Sequence, residues 1–238
     1  MSNGAERPVL RVEDDAMIKR VLATALVLAG LGGAAVAGPF EDGGEAWSAG
    51  DLPKAQTAWK ALADAGDPRG QFNLGVLYDQ GKGVSQDRAE AFRWYKLAAE
   101  QGDVIAAFNV GTLYLKGDGV AANPAEGVRW LKAAADKDDT LAQYNLGLIF
   151  AEGRGVPQDY KEAAKYYEMA ANKKHAQAQN NLGQLYANGQ GVEQDMGKAS
   201  EWMEKAGDNG MFGENNTACT TQSSARNLEA CRRIAPRF

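Results

Sequence analysis

The segment Gln71-Phe72-Asn73-Leu74-Gly75 recurs as Ala107-Phe108-Asn109-Val110-Gly111, as Gln143-Tyr144-Asn145-Leu146-Gly147 and as Gln179-Asn180-Asn181-Leu182-Gly183, 36 residues on each time and without insertion. Outward from it, a glycine pair recurs in register: Gly81 and Gly83, Gly117 and Gly119, Gly153 and Gly155, Gly189 and Gly191. So does an aromatic residue at Trp94, Trp130, Tyr166 and Trp202, and an alanine at Ala98, Ala134, Ala170 and Ala206. Agreement at this many positions in four successive units identifies a tandem array, and a period between about 20 and 50 residues is the mark of a stacked repeat fold.

Each unit reads as two helices. In the first, Leu74, Leu77 and Tyr78 fall at helical spacing and give helix A an apolar stripe. The Gly-x-Gly turn ends it, because glycine enters the left-handed region without steric cost. Asp87 then caps helix B, and Glu90 three residues later completes the capping-box pattern. Asn123 with Glu126 and Asp159 with Glu162 repeat the pattern, and Pro124 takes the favoured first helical position. The fourth unit has Asp195 but Lys198 in place of the glutamate, so a weaker cap is expected there. Small residues at the Gly75 and Ala98 positions let neighbouring helices approach, and aromatics at the Tyr78 and Trp94 positions fill the remaining space. One unit cannot bury both of its faces, so stability is expected to come from stacking on its neighbours. The repeats run over 68–103, 104–139, 140–175 and 176–210. Ahead of them, Leu52 to Asp67 matches helix B alone, with Ala55, Trp59, Ala63 and Asp67 in register, and predicts an N-terminal capping half-repeat over 38–67.

The N-terminal stretch carries a different message. Lys19 and Arg20 precede an uncharged run from Val21 to Val36 that ends in Ala35-Val36-Ala37. A basic region, a short apolar run and a small-x-small site describe an export signal over residues 1–37, with cleavage expected after Ala37. The alternative is an uncleaved anchor, although the run is shorter than the roughly 20 residues that span a bilayer. Both readings place the chain from Gly38 onward outside the cytoplasm. Met17, directly before Ile18-Lys19-Arg20, is the expected true start. The net charge of −5 and pI near 5.1 supply no basic field, so binding to a nucleic-acid duplex is not expected.

Few residues offer chemistry. His175, the only histidine, stands in register with Asp67, Asp103 and Asp139, where a cap for helix A is expected. A catalytic triad would need serine and carboxylate partners there, and no motif supplies them. Two cysteines twelve residues apart and one distant histidine do not make a four-ligand zinc set. Gly81-Lys82-Gly83 lacks the downstream Gly-Lys-Ser/Thr of a phosphate loop and reads as a turn. No cofactor or metal is therefore expected, and no enzymatic activity. Cys219 and Cys231 lie outside the repeats, and export favours a disulfide between them, worth roughly 3 kcal/mol by chain entropy. Ser223 and Ser224 would cap a final helix through Leu228 to Ile234, making 211–238 a stapled C-terminal cap.

Asn73 to Tyr78, Gly81 to Val84 and Ala91 to Ala99 read Asn-Leu-Gly-x-x-Tyr, Gly-x-Gly-Val and Ala-x-x-Trp-Tyr-x-x-Ala-Ala. On these motifs the chain resembles the Sel-one-like repeat (SLR) family, a branch of the tetratricopeptide-type solenoids, over about residues 51–207. Phe150, Leu131, Met203, Gly127 and Gly207 depart from the pattern as packing variations. The resemblance implies an all-α, right-handed solenoid with helix A on the concave side. It places Arg69, Phe72, Val76 and Asp79 toward the groove, followed by Ile105, Phe108, Thr112 and Leu115. Leu141, Tyr144, Leu148 and Ala151 come next, then Gln177, Asn180, Gln184 and Ala187. Phe72, Phe108 and Tyr144 would form an aromatic rail. Asn73, Asn109, Asn145 and Asn181 would form an amide ladder like that of peptide-gripping tetratricopeptide domains, or serve the repeat architecture alone. Helix B, with Arg88, Glu90, Arg93, Lys96 and Glu100, carries mixed charge and reads as a solvated face.

Three functions are compatible with this reading, in order of expectation. The first is a periplasmic or secreted scaffold holding a peptide or protein partner in the groove. The second, by family analogy, is a periplasmic regulator of a sensor kinase. The third is an enzyme acting on cell-wall or β-lactam compounds, although the relatives that bind such compounds carry a disulfide in each repeat and this chain has no cysteine in any.

Overall fold

The computed structural model describes residues 38–211, which therefore leave out the export signal, Met17 and the two cysteines. Among the described residues there are ten α-helices and no strand. They are α1 (Pro39–Ser48), α2 (Leu52–Asp64), α3 (Pro68–Gln80), α4 (Arg88–Glu100), α5 (Val104–Lys116), α6 (Pro124–Ala135), α7 (Thr140–Glu152), α8 (Tyr160–Asn172), α9 (Ala176–Asn188) and α10 (Met196–Asp208). Each packs against its neighbours in the chain, so the array is an α-solenoid in which α3, α5, α7 and α9 are the A helices.

The A helices begin alike. The side chains of Asp67, Asp103 and Asp139 accept a first-turn backbone N–H, and His175 does the same through Nδ1, which accepts from Ala178 N–H at 3.2 Å. They also end alike, with Gly81, Gly117, Gly153 and Gly189 in the left-handed region at φ between 65° and 70°. The second glycine of each turn has a further duty. A Cβ on Gly119 would overlap the Arg88 carbonyl, one on Gly155 would overlap Pro124, and one on Gly191 would overlap the backbone of Tyr160. That glycine therefore seats each turn on the first turn of the preceding repeat's helix B.

The B helices start differently from the capping-box expectation. The Asp87 carboxylate accepts from Ala89 and Glu90 N–H, but its own N–H donates to the Tyr78 carbonyl at 2.9 Å. Asn123, Asp159 and Asp195 make the same bond to Tyr114, Phe150 and Tyr186. With that N–H already satisfied by helix A, the third-position glutamate is released. Glu90 and Glu126 pair with Arg93 and Arg129, at 2.8 and 2.7 Å. The fourth cap makes one bond, Asp195 accepting from Lys198 N–H at 3.0 Å, as Asn123 does from Glu126 N–H, whereas Asp87 and Asp159 each accept two.

Packing explains the variations between repeats. Gly75 faces the ring of Tyr95, where a Cβ would lie 2.7 Å away, and Gly111 faces Leu131, Gly147 faces Tyr167, and Gly183 faces Met203. Gly127 answers Leu115, whose Cγ would lie 2.7 Å from an added Cβ; Asp79, Ala151 and Ala187 are smaller at that register, and their partners there are alanines. The alanines of the repeat, Ala98, Ala134, Ala170 and Ala206, are fully buried where helices cross.

The N-terminal cap is a helix pair, not a half-repeat. α1 packs on α2, with Trp47 and Trp59 ring centroids 5.7 Å apart and Gly43 against the Trp59 indole. Gly43 meets Trp59 as Gly75 meets Tyr95, but Glu41-Asp42 stand where the repeats have Asn-Leu and the connection to α2 is shorter, so the 36-residue pattern does not register α1.

Candidate functional site

The positions expected to face the groove divide into two sets. In the first two repeats Phe72 (7% exposed) and Phe108 (3%) are core residues, and Val76, Asp79 and Asn109 are buried with them. Phe72 packs on Tyr95 with centroids 5.7 Å apart. Thr112 turns its hydroxyl back to the Phe108 carbonyl at 2.9 Å, and of this set Arg69 alone is exposed. Asn73, Ile105 and Leu115 are half-buried. The aromatic rail is thus corrected: Phe72 and Phe108 are packed in the seams between helices, where no guest reaches them. In the third and fourth repeats, Leu141, Tyr144, Asn145, Leu148 and Ala151, and then Gln177, Asn180, Asn181, Gln184 and Ala187, are all half-buried. Tyr144 lies against His175, the cap of α9, with ring centroids 4.4 Å apart.

The amide ladder serves the architecture in part. Asn109 lies beside the buried Tyr95 hydroxyl, and Asn181 beside that of Tyr167. Asn145 meets Leu131 at that register, which offers no hydroxyl, and its Nδ2 donates instead to the Leu141 carbonyl at 2.9 Å. The alternation of Tyr95, Leu131, Tyr167 and Met203 along the B helices therefore decides what each asparagine does. The Asn109 Oδ1 is buried with no partner. The buried glutamines close the seams as well: Gln143 and Gln179 donate to the carbonyls of Ala135 and Ala171, at 3.1 and 2.9 Å.

The electrostatics are local. Burial holds the Asp79 carboxyl above its ordinary range despite Arg88, which bridges Asp79 at 2.7 Å and Asp118 of the next turn at 3.3 Å. Burial likewise raises Asp103, and raises the Tyr95 and Tyr167 hydroxyls so that they stay protonated at neutral pH. Pairing with Arg129 lowers Glu126, and pairing with Lys173 lowers Asp138. Among the described residues no group of three or more His, Cys, Asp or Glu side chains converges as a metal set would, and no helix is long and apolar enough to cross a membrane.

A stack of capped helix pairs, each packed on its neighbours in the chain, defines a tetratricopeptide-like repeat protein. The Sel1 repeat model matches residues 68–103, 104–139, 140–175 and 176–211, and the chain belongs to the Sel1-repeat family. A Sel1 repeat protein from Oxalobacter formigenes is 33% identical with a TM-score of 0.65, over 72% of this chain and 70% of that one. The protein c5321, a protective antigen of uropathogenic Escherichia coli with an SLR fold, is 29% identical with a TM-score of 0.69 over 72% of this chain. The match spans 38% of the length of c5321. No curated protein matches the chain. Sel1-repeat proteins are typically protein–protein interaction scaffolds and are generally non-catalytic.

Proposed function

We propose that the protein is a non-catalytic, exported scaffold, periplasmic or secreted, that holds a peptide or protein partner against the inner row of its third and fourth repeats. The observation that carries this reading is the change along that row. The apolar members Leu141, Tyr144 and Leu148 are half-buried, and beside them stand the carboxamides of Gln177, Asn180 and Gln184. This combination suits an extended segment whose apolar side chains meet Leu148 and Tyr144 while its backbone meets the amides. None of these six residues is charged, so the recognised segment need carry no terminal carboxylate. The apolar run Val21–Val36 with Ala35-Val36-Ala37 supports export, and Cys219 and Cys231 are then expected to be paired.

The test is a photo-crosslinking amino acid placed at Gln184 and, as a control, at the exposed helix-B residue Glu168, in cells fractionated into envelope, medium and cytoplasm. The expected result is a discrete protein adduct from position 184 alone, in the envelope or the medium, on a chain that begins at Gly38. Equal adducts from both positions would sink the groove assignment, and a precursor retained in the cytoplasm would sink export.

A further inference from the structure

Among the described residues, nothing covers one stripe of the fourth repeat. On α10, Met196, Ser200, Met203 and Gly207 lie at spacings of four, three and four residues and so share one face. In the earlier repeats that face is where the next repeat sits. The glycine turns of repeats 2, 3 and 4 press on Arg88, Pro124 and Tyr160, the counterparts of Met196. Tyr95, Leu131 and Tyr167, the counterparts of Met203, are buried, as are Ala99, Ala135 and Ala171, the counterparts of Gly207. Here Met196 is 62% exposed and Met203 half-buried.

A fifth Sel1 repeat cannot supply the cover. In register, Cys219 would fall where Gly183 and its predecessors leave no room for a Cβ, and Ala225 and Asn227 would replace the two turn glycines. The fourth repeat also places Asn180 and Gln184 where earlier repeats have Phe72 and Val76. The cover must therefore be small, apolar on one side and outside the repeat pattern.

We propose that residues 212–238 of the same chain fold back onto this stripe. These 27 residues continue directly from the end of α10, so they reach it without a search. Leu228, Cys231 and Ile234 recur every third residue, a spacing that would set them on one apolar edge suited to two adaptable methionines between small neighbours. Charge favours the pairing too. Of 26 basic and 31 acidic residues, four of each lie in 1–37 and four basic with two acidic lie in 212–238, which leaves the described body with 18 basic and 25 acidic. A segment of net +2 thus returns to a body of net −7.

Photo-reactive benzoylphenylalanine in place of the exposed Met196 of the full chain tests this without disturbing the core. The expected product is an adduct within one chain, mapping to residues 220–238 by mass spectrometry. Leu228→Asp with Ile234→Asp should lower its yield roughly tenfold or more, the scale of losing one buried apolar side chain, with the thermal melt of the repeats retained. A covalent dimer, which would assign the stripe to a second copy, overturns the proposal. So does the absence of any adduct, or an internal adduct indifferent to the two aspartates.

Discussion

The first and last pairs of repeats use one register for opposite purposes. Phe72, Val76, Phe108 and Asn109 are sealed, whereas Leu141, Tyr144, Leu148, Asn180 and Gln184 stand half-open. Backbone geometry does not separate them, since the caps, turns and left-handed glycines are the same throughout. The difference lies in side-chain size and in the neighbour each repeat receives. A large ring at position 72 or 108 closes the seam, and a carboxamide at 180 leaves it open. The lesson is that a recurring residue in a solenoid is first of all mortar between units, and becomes a surface where the sequence stops filling the joint.

Breaking the sealed half should therefore cost stability, and breaking the open half should not. Phe108→Ala removes a buried ring and is expected to destabilise by about 3–5 kcal/mol in urea unfolding, whereas Gln184→Ala changes the midpoint little. Comparable losses from the two would erase the distinction between the halves. The turn glycines provide a second contrast in which the backbone angle is held constant. Gly119→Ala combines φ +71° with overlap on the Arg88 carbonyl, and about 3 kcal/mol or more is expected. Gly117→Ala has φ +70°, but the added Cβ comes no nearer than 3.0 Å to the Ala122 methyl and 3.3 Å to its backbone nitrogen, so about 1–2 kcal/mol is expected. Equal effects would mean that the seam between repeats contributes nothing beyond the turn itself.

These contrasts also mark what the sequence makes legible. The 36-residue period, the helix-A caps at Asp67, Asp103, Asp139 and His175, and the turn glycines are local signals, and each forms where its pattern stands. The burial of Phe72 and Phe108 is not local, because a row of identical spacing reads alike whether the next unit covers it or not. The capping box misleads for a similar reason: the N–H of Asp87 finds the Tyr78 carbonyl across the turn, a partner that an i, i+3 pattern cannot display. Tyr95, Leu131, Tyr167 and Met203 carry the missed signal. Their alternation is visible in the sequence and predicts which asparagine meets a hydroxyl, once helix B is known to face the next repeat's helix A.

The sealed half also carries the acid–base sensitivity. Because the folded pKa of Asp79 is raised by burial, its contribution to stability is present below the unfolded carboxylate range and is lost as pH rises through the folded value. Asp79→Asn should remove that loss, so its melting temperature should gain on the parent's as pH is raised from about 4 to about 7, across and above the ordinary carboxylate range. Glu126 and Asp138, whose values are lowered by their partners, act in the opposite sense, their stabilisation being lost as pH falls. A difference between parent and variant that stays constant with pH would show that Arg88 fully offsets the burial of the carboxylate.

The smallest effect is expected at the joints between units. Gly66, Gly102 and Gly210 take positive φ just after a helix B, and the same register holds Asp138 at φ 67° and Lys174 at φ 63°. Left-handed backbone costs a residue with a Cβ about 1–2 kcal/mol, and the entropy that glycine adds to the unfolded chain returns part of any gain. Lys174 is exposed, so Lys174→Gly should stabilise by about 0.5–1 kcal/mol, read as a higher melting temperature. Asp138→Gly relieves the same angle but discards the carboxylate that Lys173 Nζ meets at 2.7 Å, while keeping the carbonyl that Lys173 also meets at 2.7 Å. Its melting temperature should hardly move. If Asp138→Gly stabilised as much as Lys174→Gly, the joint between the second and third repeats would be held by that carbonyl and by packing, and the sealed half of the molecule would owe nothing to the charge at its edge.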